Sequence, residues 1–127
     1  MSIELGSPWF ECVVCRTKTA IIQPNTPDWQ EYKEGDSIEI HYTGNFNENS
    51  LDHEPFKAKI VFKKEYPNIL KFLKNEERME RALPGVTDLD LAIRFYSKFL
   101  SDNEQEIKEY GILVLYLERK YIWSSNK

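Results

Sequence analysis

The hydrophobic positions change period several times along the chain. Ile3 to Leu5 is compatible with a short strand at the start. Ser7-Pro8-Trp9-Phe10-Glu11 then opens a helix, since a serine hydroxyl can cap free amides and a proline at the first helical position gives up an N–H that has no partner there. This helix is expected to reach about Arg16 with Trp9, Cys12 and Val13 on one face. A polar turn, Thr17-Lys18-Thr19, leads into the β-rich Ala20-Ile21-Ile22-Gln23, stopped by Pro24, and a loop carries Pro27 and Trp29. After the turn signal Gly35-Asp36, Ile38, Ile40 and Tyr42 alternate with polar residues as a half-buried strand requires. Residues 43–55 form a polar loop.

From Phe56 to Phe62 the alternation is sharper. Phe56, Ala58, Ile60 and Phe62 make a core face, opposite Lys57, Lys59, Val61 and Lys63, a side that reads either as a solvated face or as a track for phosphates. Tyr66-Pro67-Asn68 ends that strand and opens a helix with Ile69, Leu70, Phe72 and Leu73 inward, broken at Leu83-Pro84-Gly85. Thr87 caps the strongest helical pattern, with Asp88 and Asp90 in the first turn and Leu89, Ile93, Tyr96 and Leu100 at helical spacing, so this helix should lie on the sheet. An acidic stretch from Asp102 to Glu109 precedes Gly111-Ile112-Leu113-Val114-Leu115-Tyr116-Leu117, whose unbroken branched run predicts a strand buried on both faces. Residues 124–127 are expected to fray. The mixture of strands and helices predicts an α+β domain.

Composition sharpens this picture. A chain of 127 residues with 41% hydrophobic and 30% charged residues, including seven Phe, seven Tyr and three Trp, has the makings of one core, and no repeat or linker divides it, so residues 1–127 are expected to form a single domain. No apolar run approaches the roughly 20 residues of a membrane helix, and Met1-Ser2-Ile3-Glu4 lacks the basic-then-apolar design of a secretory signal, which predicts a cytoplasmic or nuclear protein without membrane contact. Cys12 and Cys15 stand two residues apart, but His41 and His53 are far from them and from each other, so the cysteines are expected as buried thiols on one helix face, with no metal or cofactor. The net charge of −4 argues against a protein that coats duplex DNA through bulk electrostatics and leaves room for a local basic cleft.

Several landmarks then fall in a recognisable order: Phe10-Glu11, Lys18-Thr19, Tyr32-Lys33-Glu34-Gly35-Asp36, Phe56-Lys57-Ala58-Lys59-Ile60, Tyr66-Pro67, Leu83-Pro84-Gly85, Ala92-Ile93-Arg94-Phe95-Tyr96-Ser97 and Tyr110-Gly111-Ile112-Leu113. Over roughly residues 8–118 the chain resembles the ASCH (activating signal cointegrator homology) domain of the PUA-like superfamily. The resemblance implies a small β-barrel with helices packed against it. It also implies RNA or nucleotide binding in a cleft beside the signature G-x-K-x-x-E-x-R, and, for a minority of members, amidohydrolase activity on N4-acetylcytidine using the signature lysine with a nearby hydroxyl and carboxylate. Here the signature falls on Arg16 to Gln23: Lys18 matches, while Arg16 stands for the glycine, Ile21 for the glutamate and Gln23 for the arginine.

Three roles are open to Lys18: an amine activated by burial, a charge that meets phosphate, or an exposed loop lysine. Around it, Arg16 can pair with phosphate, Thr17 and Thr19 can offer hydroxyls, and Gln23 can read a base edge. Trp9 and Tyr42 are either core aromatics or stacking faces for unpaired bases. The expected partner is RNA, another single-stranded nucleic acid or a nucleotide, held without catalysis, with hydrolysis through Lys18 as the alternative. A protein-interaction module using the 43–55 loop or the 102–109 segment is a third reading.

Overall fold

The computed structural model describes residues 2–43, 54–74 and 76–118. Five strands, β1 (Ser2–Leu5), β2 (Ala20–Pro24), β3 (Ser37–Tyr42), β4 (Phe56–Tyr66) and β5 (Ile112–Leu117), form one sheet in the order β1-β3-β4-β5-β2. The β1–β3 pair is parallel and the other ladders are antiparallel. The sheet is a half-barrel with helices packed on it, a mixed α+β architecture. The closed or nearly closed barrel is not reached by strand pairing among the described residues, because β1 and β2 stand at the two ends of the sheet order without a ladder between them.

Each side of β5 feeds a different core. Leu113, Leu115 and Leu117 point into the half-barrel with Ile3, Ile21, Ile38, Ile40, Ala58 and Ile60, and this interior is plugged by Phe10 and Val13 of α1 (Trp9–Val14) and by Trp29 of α2 (Pro27–Gln30). Ile112, Val114 and Tyr116 join Ala20 and Ile22 on the outer face, which is covered from α3 (Ile69–Leu73), α4 (Glu76–Ala82) and α5 (Leu89–Phe95) by Phe72, Leu73, Met79, Ala82 and Ala92. All six residues of β5 are buried, as its unbroken apolar run predicts. Two further short helices, α6 (Ser97–Asp102) and α7 (Glu104–Tyr110), lead back to it. Among the described residues, no helix is long and apolar enough to cross a membrane.

The local departures from expectation have identifiable causes. Helix α1 begins at Trp9 with Pro8 in the cap position, and the Ser7 hydroxyl donates to the Glu11 carboxylate at 2.7 Å rather than capping an amide. Its core face is Phe10 and Val13, so Trp9 and Cys12 are only half-buried and Cys15 is exposed, and the cysteines are not a buried pair. The loop around Pro27 and Trp29 is one helical turn with Trp29 in the core. Strand β4 runs on to Tyr66, and a bulge between Ile60 and Phe62 inserts Val61 against the β5 ladder. The added residue reverses the alternation, so Phe62 points outward at 46% exposure although its spacing from Ile60 assigns it to the core. Leu70 is likewise exposed. Asp88, not Thr87, caps α5, accepting from the Asp90 amide, and the long helix expected there breaks at Tyr96 into α5 and α6. Most of the acidic 102–109 segment is helical, as α7. Of the 43–55 loop, residues 44–53 lie outside the described residues, as does the 124–127 tail.

The turn from α7 into β5 depends on Gly111, which combines φ 80° with ψ −160°, a region open in practice to glycine alone. A Cβ there would also stand 2.9 Å from the Tyr66 carbonyl oxygen. Gly111→Ala is therefore expected to lower the unfolding free energy by about 2 kcal/mol or more, read as a lower urea midpoint with an unchanged denaturant slope.

Candidate functional site

The turn after α1 places Lys18. Helix α1 closes with a paired hydrogen-bond motif: the Arg16 amide donates to Val13 at 3.0 Å and the Thr17 amide to Cys12 at 2.9 Å. Arg16 takes φ 67°, the left-handed conformation that glycine usually supplies at such an end. The chain then drops inward. Thr19 pairs through its amide with Arg81 at 2.8 Å and accepts the Leu117 amide on its carbonyl at 2.8 Å, which stitches the turn to α4 and to β5.

Lys18 is not an exposed loop lysine. It retains 4% of its accessible surface, and its Nζ donates to the carbonyl of Ala20 at 3.0 Å and to that of Ala82 at the end of α4. The ammonium also lies over the Trp9 ring, 5.9 Å from its centre. Burial pulls the Lys18 pKa down to about 7, against an opposing pull from the Cys12 thiol. The amine is thus divided between its charged and neutral forms close to neutral pH.

This amine lies in the wall of a cleft of about 200 Å³. The cleft opens where the half-barrel is unclosed: β1 contributes Ile3, Glu4 and Leu5, β2 contributes Ile21, Ile22 and Gln23, and the aromatics Trp9, Phe95, Tyr96 and Phe99 complete it. Trp9 meets Phe95 edge to face at 5.3 Å between ring centres, and Phe95 is 47% exposed at the rim. The Tyr96 hydroxyl is buried with no hydrogen-bond partner among the described residues, and burial pushes its pKa up, so it stays protonated.

Of the residues expected to act together, Lys18, Gln23 and Trp9 meet in this cleft. The others are placed elsewhere. Thr19 is buried and its hydroxyl accepts from the Arg81 guanidinium at 2.8 Å, so it holds α4 and is not presented to a ligand. Thr17 donates to the Cys12 carbonyl at 3.2 Å on the exposed side of the turn. Arg16 belongs to the helix end, outside the cleft lining among the described residues. Tyr42 lies edge-on to Phe10 at 5.5 Å in the half-barrel cluster, as a core-flanking aromatic.

Glu4, Phe95, Tyr96 and Phe99 are the site residues that sequence reasoning missed. Glu4 stands on a strand whose edge faces β2 only in three dimensions, and the aromatics lie some eighty residues from Lys18 along the chain, so spacing carries no signal for them. Helical periodicity marks Tyr96 as a buried position, but it does not say that the helix ends there against a cleft.

No family model matches the chain, and no curated protein matches it. Solved structures do. The chain is similar to the crystal structure of hypothetical protein PH0355, with a TM-score of 0.65 and 22% identity over 93% of this chain and 98% of that one. It is also similar to the solution NMR structure of protein PF0455 from Pyrococcus furiosus, with a TM-score of 0.59 and 22% identity over 93% and 96% of the two chains. The fold is shared with both. At this identity the likeness concerns the fold alone.

The Lys18 titration has a measurable consequence. An unfolded lysine keeps a pKa near 10.5, so between about pH 7 and that value the unfolded chain binds more protons than the folded one, and stability rises with pH across the window. Lys18→Met removes the titrating group. The difference in unfolding free energy between wild type and this variant should move in favour of wild type from pH 7 to pH 9, by at most about 1.4 kcal/mol per pH unit. Parallel stability curves in urea titrations at pH 7, 8 and 9 would show that the amine titrates at its ordinary value.

Proposed function

We propose that the protein is an ASCH-type, PUA-like binding module, acting in the cytoplasm or nucleus, that holds one nucleobase of an RNA, another single-stranded nucleic acid or a free modified nucleoside in the cleft between β1 and β2. The observation that carries this reading is the buried Lys18 amine set against the Trp9 ring in an aromatic-walled cleft of about 200 Å³. That volume is below the ~300 Å³ at which pockets for larger organic ligands usually begin, which favours a single flat ring over an extended chain. Trp9 and Phe95 offer stacking surface, while Lys18, Gln23 and Tyr96 offer the few polar groups that would read a base edge.

Two further features support the family resemblance. The signature glycine position, held here by Arg16, has the left-handed backbone that a glycine would take at least cost. The signature lysine lies in the cleft, with Ile21 and Gln23 lining the same wall. The acidic net charge and the replacement of the signature arginine by Gln23 favour recognition of a base over strong phosphate binding.

Tryptophan emission is the direct test, because Trp9 lies in the cleft wall. Titration with cytidine, uridine, adenosine and N4-acetylcytidine is expected to give saturable quenching by at least one of them, weakened about tenfold or more in Lys18→Met, a loss typical of a charge-assisted hydrogen bond. Quenching should disappear in Trp9→Phe. Absence of both an emission change and calorimetric heat for all four nucleosides would sink the reading.

A second reading, hydrolysis of an N4-acetylated cytidine, is favoured by one specific observation: Glu4 supplies a carboxylate to the same cleft as an amine whose pKa lies at about 7. In this reading Lys18 and Glu4 share the proton transfers and the Tyr96 hydroxyl donates to the amide oxygen. Chromatography of N4-acetylcytidine incubated with the protein would then show cytidine and acetate, with release lost in Lys18→Ala and in Glu4→Gln. Nucleoside binding without product would leave the protein a binding module.

A further inference from the structure

The β4 bulge has a second effect. Before it, Lys57 and Lys59 point away from the half-barrel interior while Ala58 and Ile60 point into it. Beyond it, Phe62 lies against Tyr116 of the outer face, with ring centres 5.6 Å apart, and Lys64 lies over the Tyr66 ring at 5.8 Å. Phe62, Lys64 and Tyr66 thus continue the outward row begun by Lys57 and Lys59. Lys63 is turned to the other side, where its amine bonds the carbonyls of Gln30 and Tyr32. The bulge therefore puts Phe62, Lys64 and Tyr66 in the row where an unbroken alternation would place Val61, Lys63 and Glu65, so a half-exposed phenylalanine enters it and a carboxylate leaves it.

Helix α4 borders this row with two arginines. Arg78 donates to the hydroxyls of Tyr66 and Tyr116, and the Arg81 guanidinium lies over the Tyr116 ring, 4.7 Å from its centre. Of the acidic residues around it, Glu39 pairs in register with Lys57, Glu65 pairs with Leu113 and so lies on the other side of β4, and the Glu80 carboxylate accepts the Gly85 amide. The strip thus alternates cations with aromatic rings on a chain whose net charge is −4, over about 20 Å from Lys59 to Tyr66 at the usual rise of a strand, the bulged residue adding no step. At its far side Arg81 bonds Thr19, next to Lys18, so the strip leads toward the cleft.

We propose that this strip, centred on Lys59, Phe62, Lys64 and Arg78, is a track for single-stranded nucleic acid, with lysines on the phosphates and the Phe62 face under a base. Cations interleaved with the exposed Phe62 ring and the half-buried Tyr66 ring suit a single strand, whose bases are free to stack, whereas an acidic peptide would use only the cations and a duplex keeps its base faces covered. The proposal rests on the reading of the ligand as a nucleic acid and goes beyond it, since the strip is separate from the cleft and would hold the nucleotides next to the one whose base is buried.

Fluorescence anisotropy of a labelled ten-nucleotide single-stranded RNA, over a range of potassium chloride concentrations, tests it. Phe62→Ala is expected to weaken binding about tenfold with the salt slope unchanged. Lys59→Gln combined with Lys64→Gln should reduce the slope of log K against log salt by about 1.4, the contribution of two phosphate contacts on a single strand. Both variants replace exposed side chains, and circular dichroism melts verify their folding. Nucleoside affinity in the cleft should be unchanged in either. Wild-type affinity from both strip variants overturns the proposal, as does a ten-base-pair duplex or poly-glutamate bound as tightly as the single strand. Strip-dependent RNA binding without any nucleoside binding would overturn the cleft reading and keep the strip, and intact nucleoside binding with RNA affinity indifferent to the strip variants would do the reverse. Absence of RNA binding by the wild type overturns the strip outright.

Discussion

The structure depends on β5, whose residues alternate between two cores. Leu113, Leu115 and Leu117 close the half-barrel interior, while Ile112, Val114 and Tyr116 seat the helical layer. A strand used on both faces cannot slip by one residue without exchanging the two sets, so its register with β2 and β4 is tightly specified. Gly111 makes the approach to it possible, because the chain passes too close to the Tyr66 carbonyl for any side chain. Burial of this one strand also fixes where the sheet ends: β2 flanks β5 on one side, and the open edge of β2 becomes one wall of the cleft.

Lys18 belongs to the same constraint. Its turn is held to β5 through the Thr19 carbonyl and to α4 through the Thr19 amide and hydroxyl, and its amine joins the Ala20 and Ala82 carbonyls. Those hydrogen bonds offset part of the cost of burying an amine, and the remainder appears as the lowered pKa. A lysine held in this way is a structural clasp between β2 and α4 that also lines the cleft. In its charged form the amine has three donors, of which the two carbonyls occupy two.

The proposed division between a base-sized cleft and an outer basic, aromatic strip gives separate work to features that composition merges. Overall acidity disfavours indiscriminate binding of nucleic acid, while local arrangement concentrates cations beside rings. The β4 bulge is central to that arrangement: a single inserted residue puts Phe62, Lys64 and Tyr66 on the outer row in place of Val61, Lys63 and Glu65.

Much of the fold was legible in the sequence. The alternation at Ile38 and Ile40, the unbroken run of β5 and the breaker at Leu83-Pro84-Gly85 are local patterns, and local patterns report which backbone conformation a segment can bury. Lys18 was singled out by its place in a recognisable order of residues, and Gln23 and Trp9 followed from proximity along the chain. The bulge at Val61 could not be read, because a strand with one extra residue has the same composition as one without it, and only the β5 ladder exposes the mismatch. Thr19 looked available because nothing nearby in sequence claims its hydroxyl, whereas Arg81 reaches it from another helix. The burial of Lys18, the arrival of Glu4 and Tyr96 beside it, and the unclosed edge between β1 and β2 were likewise decided by tertiary structure alone, since each depends on groups brought together from distant parts of the chain. Sequence periodicity determined which segments are strands and helices and which residues seek the core; the packing of the two layers on β5 decided which polar groups became clasps and which were left facing a cleft.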